Sequence, residues 1–261
     1  MVTEIEKEVL ILTVKLAITG KGGSGKTTIV KAFMQIFKEM FPEKSILLFD
    51  NDLSSELGHT FGYDIRNTIY GIRSGKHEYK TGIPDDMTKQ EFIEWAMEDI
   101  VVSLDDNVDI VVSWFVGSKD CRCPITKLID DAVNKLINRY DIVIFDCEFD
   151  LKYLNQLVDT EIDSTIIVAN PTEESAHLAN RIEEFSAKYA AGNQLGVVIN
   201  KADNKNLSSV YELLRKYNLD VLGVIPYDEE LKNNSITRES QVVRDAIKEF
   251  YFRLNLPQIK Q

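Results

Sequence analysis

The sequence predicts an α/β fold: a doubly wound, mostly parallel sheet of about seven strands with helices on both faces. Short runs of apolar, β-branched residues recur along the 261 residues, and most are apolar on both faces, as in strands buried between two helix layers. Segments with the apolar spacing of helices separate these runs. This alternation indicates parallel strands joined by right-handed crossover helices.

The predicted elements follow one another without a linker rich in Pro, Gly or Ser, so we expect one domain over 1–261, with 1–13 as a short N-terminal extension. The predicted strands are 12–19, 45–50, 108–113, 141–146, 164–169, 195–199 and 220–225. The predicted helices are 26–41, 90–102, 124–140, 173–189, 207–217 and 240–254. Ligands bind at the carboxyl ends of the strands in such sheets, so functional residues are expected there.

The composition excludes several classes of function. The net charge of −12, from 30 basic and 42 acidic side chains, argues against binding to nucleic acid or to an anionic membrane, because both need a basic face. No apolar run is long enough to span a bilayer, and the N-terminus carries acids where a signal peptide carries bases. Three cysteines are too few for a disulfide framework, so we expect a cytoplasmic protein.

The first strand runs directly into a glycine-rich loop, "GKGGSGKTT". Gly25, Lys26 and Thr27 complete the pattern of a phosphate-binding loop between a strand and a helix. Glycines let backbone N–H groups surround a phosphate, and the helix N-terminus adds positive potential. Lys26 would reach the β- and γ-phosphates, and the Thr27 hydroxyl would bind Mg²⁺. The predicted nucleotide-binding residues of this loop are Gly20, Lys21, Gly22, Gly23, Ser24, Gly25, Lys26, Thr27 and Thr28.

Acidic residues end two of the predicted strands. Asp50 and Asp52 end the second strand, and Asp146 ends the fourth. In phosphate-loop enzymes an acid in the place of Asp146 supports the Mg²⁺ from its second coordination sphere. An isolated acid at a strand end could instead cap the next helix, but here the acids accompany a phosphate loop. Together with Thr27, Asp50 and Asp146 form the predicted magnesium site.

Lys21, early in the loop, gives the motif "KGGSGKTT" a resemblance to the deviant phosphate loop of the nitrogenase iron protein, septum-site and plasmid-partition ATPases. The resemblance implies a homodimer in which Lys21 reaches the partner's nucleotide. It also implies that Asp52 orients the attacking water and that Asp50 lies near the metal. The catalytic residues expected on this basis are Lys21, Lys26 and Asp52, acting on ATP.

The nucleotide base has two candidate recognition patterns. By the same resemblance, Asn200 contacts adenine, and the segment from Pro226 through Asp228 closes over the base. Asn200, Lys201 and Asp203 also spell the guanine-reading N-K-x-D of GTPases, in which the acid accepts from two guanine N–H donors. ATP is preferred because the early-lysine class is mostly adenine-specific, and GTP stays open.

Two of the three cysteines, Cys121 and Cys123, lie one residue apart in "SKDCRCPITKL". Pro124 suits the first turn of a helix and holds Cys123 outside it, where the helix N-terminus lowers the pKa of a thiol. Two thiolates are half of a tetrahedral metal site, and a two-fold dimer would supply four. Such a site suits Ni²⁺ or Zn²⁺ bridging two chains. Ordinary loop cysteines and a reversible disulfide are the alternatives.

The position of this C-x-C, between the third strand and a helix, resembles the carbon monoxide dehydrogenase maturation ATPases (CooC type), and the likeness extends from about residue 14 to 250. It includes the D-x-E formed by Asp146 and Glu148. The resemblance implies a nucleotide-dependent dimeric metallochaperone that aids nickel insertion into carbon monoxide dehydrogenase or a related client. Cys147 comes immediately after Asp146 and is expected to be a buried packing residue. No iron–sulfur cluster is expected, because Tyr153 stands where a nitrogenase-type reductase has its second cluster cysteine.

The chain departs from this family at two switch positions. The family has E-A-G after the strand-end aspartate, whereas this chain has Glu148, Phe149 and Asp150. The glycine is expected to give its N–H to the γ-phosphate, and an Asp is stiffer there and negatively charged. Leu53 replaces the proline of the family's D-x-D-P. A catalytically weak regulatory subunit is therefore one alternative function, and a septum-site or partition-type positioning ATPase is another.

Overall fold

The computed structural model describes residues 13–52, 56–74, 83–113, 124–148, 162–189, 194–203, 207–233 and 240–257. Its strands are β1 Val14–Gly20, β2 Ile46–Asn51, β3 Val102–Asp105, β4 Val108–Val112, β5 Ile142–Cys147, β6 Ser164–Ala169, β7 Gln194–Ala202 and β8 Val221–Pro226. Its helices are α1 Lys26–Met40, α2 Glu56–Thr60, α3 Ile69–Ser74, α4 Lys89–Asp99, α5 Pro124–Ile137, α6 Glu173–Tyr189, α7 Leu207–Lys216, α8 Glu229–Asn233 and α9 Gln241–Phe250, with a 3₁₀ turn at Tyr251–Arg253.

The strands form one sheet in the order β3-β4-β2-β5-β1-β6-β7-β8, and the sheet is parallel except for β3. Alternate side chains of each central strand enter two separate hydrophobic clusters, one on each face. In β1, for example, Ala17 belongs to one cluster, while Leu16 and Ile18 belong to the other. The predicted doubly wound α/β fold is thereby confirmed, and it brings the carboxyl ends of β1, β2 and β5 side by side.

The expected helix over 90–102 is present but ends earlier, and the sheet has eight strands where about seven were expected. The helix α4 ends at Asp99, and β3 turns back at 106–107 to pair antiparallel with β4, adding an eighth strand at the sheet edge. Residues 100–102 are apolar and β-branched, so they satisfy a helical period and a strand period equally, and pairing with β4 decides between the two. Among the described helices, none is both long and apolar enough to cross a bilayer.

The short helices α2, α3 and α8 were not predicted. Each has only five or six residues, which is too few to show a hydrophobic period. The last helix, expected to reach residue 254, ends at Phe250 and continues as the 3₁₀ turn. The helix α5 begins at Pro124, as predicted.

Candidate nucleotide site

The phosphate loop connects the end of β1 to the start of α1 at the middle of the sheet. Two of its glycines occupy positions that no larger residue fits. A Cβ on Gly20 would lie 2.4 Å from the carbonyl oxygen of Val168. A Cβ on Gly25 would lie 2.3 Å from Nδ2 of Asn200, and Gly25 has φ +97°. The loop is thus held against β6 and β7, and sterics as well as backbone conformation favour glycine at these two positions.

The three residues of the predicted magnesium site meet beside this loop. The hydroxyl of Thr27 donates to Oδ2 of Asp146 at 2.8 Å. Asp50 and Asp146 are direct partners in the register of β2 and β5. Oδ2 of Asp50 and Oδ1 of Asp146 are both buried without a hydrogen-bond partner in the structure. Buried carboxylate oxygens that lack a donor require a cation or a proton.

Electrostatics support a cation at this position. Burial raises the pKa of Asp50 well above its ordinary value, and the neighbouring charge of Asp146 raises it further. Burial also raises the pKa of Asp146 to about 6, against the opposing effects of Thr27 and Lys26. The residues present therefore fit Mg²⁺, a hard cation that prefers oxygen ligands. Among the described residues, no three His, Cys, Asp or Glu side chains form a closed metal site, so phosphate and water would complete the coordination.

The three predicted catalytic side chains differ in their surroundings. The Lys26 side chain is 4% exposed, and its Nζ lies 3.4 Å from Oδ2 of Asp52. Lys21 lies at the surface, where its Nζ is 2.7 Å from Oε1 of Glu174 at the start of α6. Lys26 and Asp52 are thus placed beside the magnesium residues, while Lys21 remains on the outside of the chain.

A cavity of about 240 Å³ adjoins the loop on the β7 and β8 side. It is lined by Gly25, Thr28, Asn200, Lys201, Pro226, Tyr227, Asp228, Leu231 and Val243. The structure thereby brings Asn200, at the end of β7, together with Pro226 and Asp228, at and just after the end of β8. Tyr227 belongs to the segment predicted to close over the base, whereas Leu231 and Val243 were missed, and no local motif could have identified those two.

The polar groups around this cavity have defined partners. Nδ2 of Asn200 donates to the carbonyl of Ser24 at 2.8 Å. The carboxylate of Asp228 accepts from the hydroxyl of Ser240 at 2.6 Å and from the N–H of Glu230 at 2.9 Å. Asp203 is exposed and does not line the cavity. Asp228 therefore fastens the segment after β8 to the start of α9.

The remaining candidate residues divide into those that the structure describes and those that it does not. Cys121, Cys123, Leu53 and Asp150 lie outside the described residues, so the expectations for them stay predictions. Cys147 is fully buried, as expected, and burial raises the pKa of its thiol well above the ordinary value. A neutral buried thiol behaves as a packing group.

Comparisons with known proteins identify the family. The CobQ/CobB/MinD/ParA nucleotide binding domain matches residues 15–242. An uncharacterized ATP-binding protein of Methanocaldococcus jannaschii is 28% identical over 256 residues, which cover 93% of this chain and 98% of that protein. The carbon monoxide dehydrogenase accessory protein CooC of Rhodospirillum rubrum is 23% identical, covering 84% of this chain and 85% of its own length.

Solved structures agree in fold. The septum site-determining protein MinD of Pyrococcus horikoshii, complexed with Mg-ADP, superposes with a TM-score of 0.63 at 18% identity, covering 94% of this chain and 96% of MinD. A putative plasmid partition protein of Borrelia burgdorferi bound to AMPPNP gives a TM-score of 0.66 at 18% identity, covering 92% and 99%. With its phosphate loop, paired acids and adjoining cavity, this chain belongs to the CobQ/CobB/MinD/ParA family of nucleotide-binding domains.

Proposed function

We propose that this protein is a magnesium-dependent ATPase that works as a homodimer. The observation that carries the proposal is the pair of unpartnered carboxylate oxygens on Asp50 and Asp146, next to the Thr27 hydroxyl at the phosphate loop. Two buried acids side by side destabilise an empty site, and a metal–nucleotide complex would neutralise them. The match to ATP-binding relatives over nearly the whole chain supports the choice of nucleotide.

The residues have separate roles in the proposed reaction. Asp146 holds the Thr27 hydroxyl by a hydrogen bond, which leaves the oxygen of that hydroxyl available to the metal. Lys26 would exchange its contact with Asp52 for the β- and γ-phosphates, and Asp52 would orient water. Bound Mg²⁺ would neutralise charge that develops on the phosphates. Lys21 would leave Glu174 to reach the partner chain's nucleotide.

Adenine would occupy the cavity beside Asn200. The side-chain carbonyl of Asn200 is suited to accept from the exocyclic amine of adenine, because its Nδ2 already donates to Ser24. The exposed position of Asp203, outside the cavity lining, favours ATP over GTP.

Calorimetry with Mg-ATP, Mg-ADP and Mg-GTP on the wild type and on Lys26→Ala tests the nucleotide site. We expect Mg-ATP to bind the wild type, and to bind the variant at least about tenfold more weakly. The reason is that the variant lacks the only buried ammonium among the described loop residues. Equal affinity of both proteins for Mg-ATP would remove the phosphate-loop assignment. Tighter binding of GTP than of ATP would assign the base pocket to guanine.

We further propose that the ATPase handles a soft metal ion as cargo, as a metallochaperone for carbon monoxide dehydrogenase or a related client. In this proposal Cys121 and Cys123 of two chains hold one Ni²⁺ or Zn²⁺ between them. The C-x-C spacing and the similarity to the CooC accessory protein support this role. Four thiolates satisfy a tetrahedral ion, whereas the pair on one chain cannot.

Metal analysis with light scattering tests the cargo site, using reduced wild type and the double variant Cys121→Ser/Cys123→Ser. We expect about one metal ion per two wild-type chains, none on the variant, and weaker binding at low pH because thiols must first lose their protons. Equal metal binding by both proteins, or none by the wild type, would leave the regulatory-subunit function in its place. That second candidate is favoured by Asp150 at the switch position of the sequence.

A further inference from the structure

Lys201 has a backbone conformation that its residue type disfavours. The described residues include two non-glycine residues with positive φ, Lys201 at +56° and Asn218 at +57°. Asn218 follows the end of α7, where asparagine commonly adopts this conformation. Lys201 lies within β7, where neither its residue type nor a helix end accounts for it. Strain of this kind persists where the surrounding structure requires it, often at functional sites.

A β-bulge produces this conformation. Ile199 pairs with Val224, and the next pair is Ala202 with Pro226, so β7 has one more residue than β8 between the two pairs. Bulges redirect side chains and are common beside active sites. The N–H of Tyr227 then donates to the carbonyl of Ala202 at 3.0 Å, which ties the cavity segment to the bulge.

The bulge turns two consecutive side chains toward the same loop. In a regular strand, neighbouring side chains point to opposite faces. Here Asn200 donates to the carbonyl of Ser24 at 2.8 Å, and Nζ of Lys201 donates to the carbonyl of Gly23 at 2.7 Å. The end of β7 therefore holds two successive carbonyls of the phosphate loop.

Holding these carbonyls also sets the direction of loop N–H groups. In a trans peptide, the C=O and the N–H point in opposite directions. The Gly23 carbonyl shares its peptide with the N–H of Ser24, which donates to the carbonyl of Lys21 at 3.0 Å and closes the turn of the loop. The Ser24 carbonyl shares its peptide with the N–H of Gly25. The ammonium of Lys201 also adds a positive charge next to a loop built for phosphate.

We propose that Lys201 is a positioning residue for the nucleotide phosphates, and that the left-handed bulge in β7 exists to aim its ammonium at the phosphate loop. The proposal rests on the function proposed above, since it assumes that the loop binds nucleotide. Lys201 acts through Gly23 and contacts neither the base nor the phosphates in this role.

Three substitutions at Lys201 distinguish the effects of its ammonium, of hydrogen-bond donation and of backbone strain. Lys201→Met keeps an unbranched side chain that is one atom shorter and removes the ammonium, and Lys201→Arg keeps a charged donor. Lys201→Gly removes the donor and also relieves the left-handed strain. Lys248→Met is the control, because Lys248 contacts Glu39 near the C-terminal end of α1, whereas the loop precedes the N-terminal end of that helix.

Binding of Mg-ATP and of Mg-tripolyphosphate is measured for each protein, together with the melting temperature without ligand. For Lys201→Met and Lys201→Gly we expect about three- to tenfold weaker binding of both ligands, and Lys201→Arg should retain most of the affinity. The Gly variant should melt no lower than the wild type, although its affinity falls. The Lys248 control should match the wild type.

Several results would overturn the proposal while nucleotide binding by the wild type stands. Unchanged affinity in Lys201→Met would show that the hydrogen bond to Gly23 has no role. Loss of ATP affinity without loss of tripolyphosphate affinity would place Lys201 against the base. Weaker binding accompanied by an equal fall in melting temperature in all three variants would make Lys201 a purely structural residue. If the wild type binds no Mg-nucleotide, the proposed function itself fails first.

Discussion

Replacement of Asp146 by asparagine should stabilise the protein without metal and weaken its response to magnesium nucleotide. The carboxylate of Asp146 is 1% exposed and faces Asp50 across the β2–β5 pair. Its Oδ1 lacks a donor, while its Oδ2 accepts from Thr27. Asparagine keeps the acceptor for Thr27 and cannot ionise, so the substitution removes a buried charge with little change of shape.

The size of the effect follows from the perturbed pKa. Burial raises the pKa of Asp146 from 3.8 to about 6, which corresponds to about 3 kcal/mol once the carboxyl is ionised. Because the pKa in the folded state is the higher one, stability is lost as the pH rises from the unfolded value through the folded value. The variant should therefore gain up to about 3 kcal/mol at about pH 8, roughly 6–12 °C in melting temperature, and almost nothing below about pH 4.

Urea unfolding with EDTA, at alkaline and acidic pH, measures this gain. Asp141→Asn is the matched control, since Asp141 immediately precedes β5 and the pKa of its carboxyl is shifted in the opposite direction. Burial raises the pKa of Asp141, but hydrogen bonds from Ser45 and Lys44 outweigh it and hold the pKa below its ordinary value. That variant should lose about 1–3 kcal/mol, and the loss should shrink as the pH falls through the folded pKa of Asp141.

Two results would contradict the role assigned to Asp146. If Asp146→Asn is no more stable than the wild type in EDTA at alkaline pH, the buried carboxylates do not repel and the argument for a cation site fails. Mg-ATP should raise the melting temperature of the wild type by more than that of the variant. An equal rise in both would show that Asp146 does not support the metal.

Three further predictions concern the same site. Gly25→Ala should abolish Mg-ATP binding in calorimetry, because its Cβ would lie 2.3 Å from Nδ2 of Asn200. Gly22→Ala, with nothing within 4 Å of its Cβ, should bind Mg-ATP within about threefold of the wild type. Similar losses of affinity in both variants would show that sterics at Gly25 are not decisive. Asp150→Gly should raise the rate of phosphate release, since it restores the backbone freedom that a γ-phosphate contact needs, and an unchanged rate would show that the switch works as it stands. Asp203→Asn should leave the ATP affinity unchanged because Asp203 is outside the cavity lining, and a large loss would return it to the base site.

Local patterns in the sequence were sufficient for much of the fold and part of the site. The phosphate loop is a contiguous motif whose glycines, lysine and threonine act through the backbone next to them, so the motif identifies it directly. Seven of the eight strands and the long helices were predicted within a few residues, because the sheet is buried on both faces and apolar runs mark its strands. The predicted helices ran three or four residues past the ends of α4, α5 and α9. The same reasoning misassigned residues 100–102, because their apolar pattern fits a helix and a strand equally.

The tertiary structure alone decided which residues meet. Asp50 and Asp146 lie nearly a hundred residues apart, and they face each other because the strand order places β5 between β2 and β1. The cavity is assembled from the loop, the end of β7 and the segments after β8, so no single stretch of sequence contains it. Lys201 reaches the loop only through an extra residue in the pairing of β7 with β8. Such contacts depend on register and strand order, which long-range packing sets and local residue preferences do not.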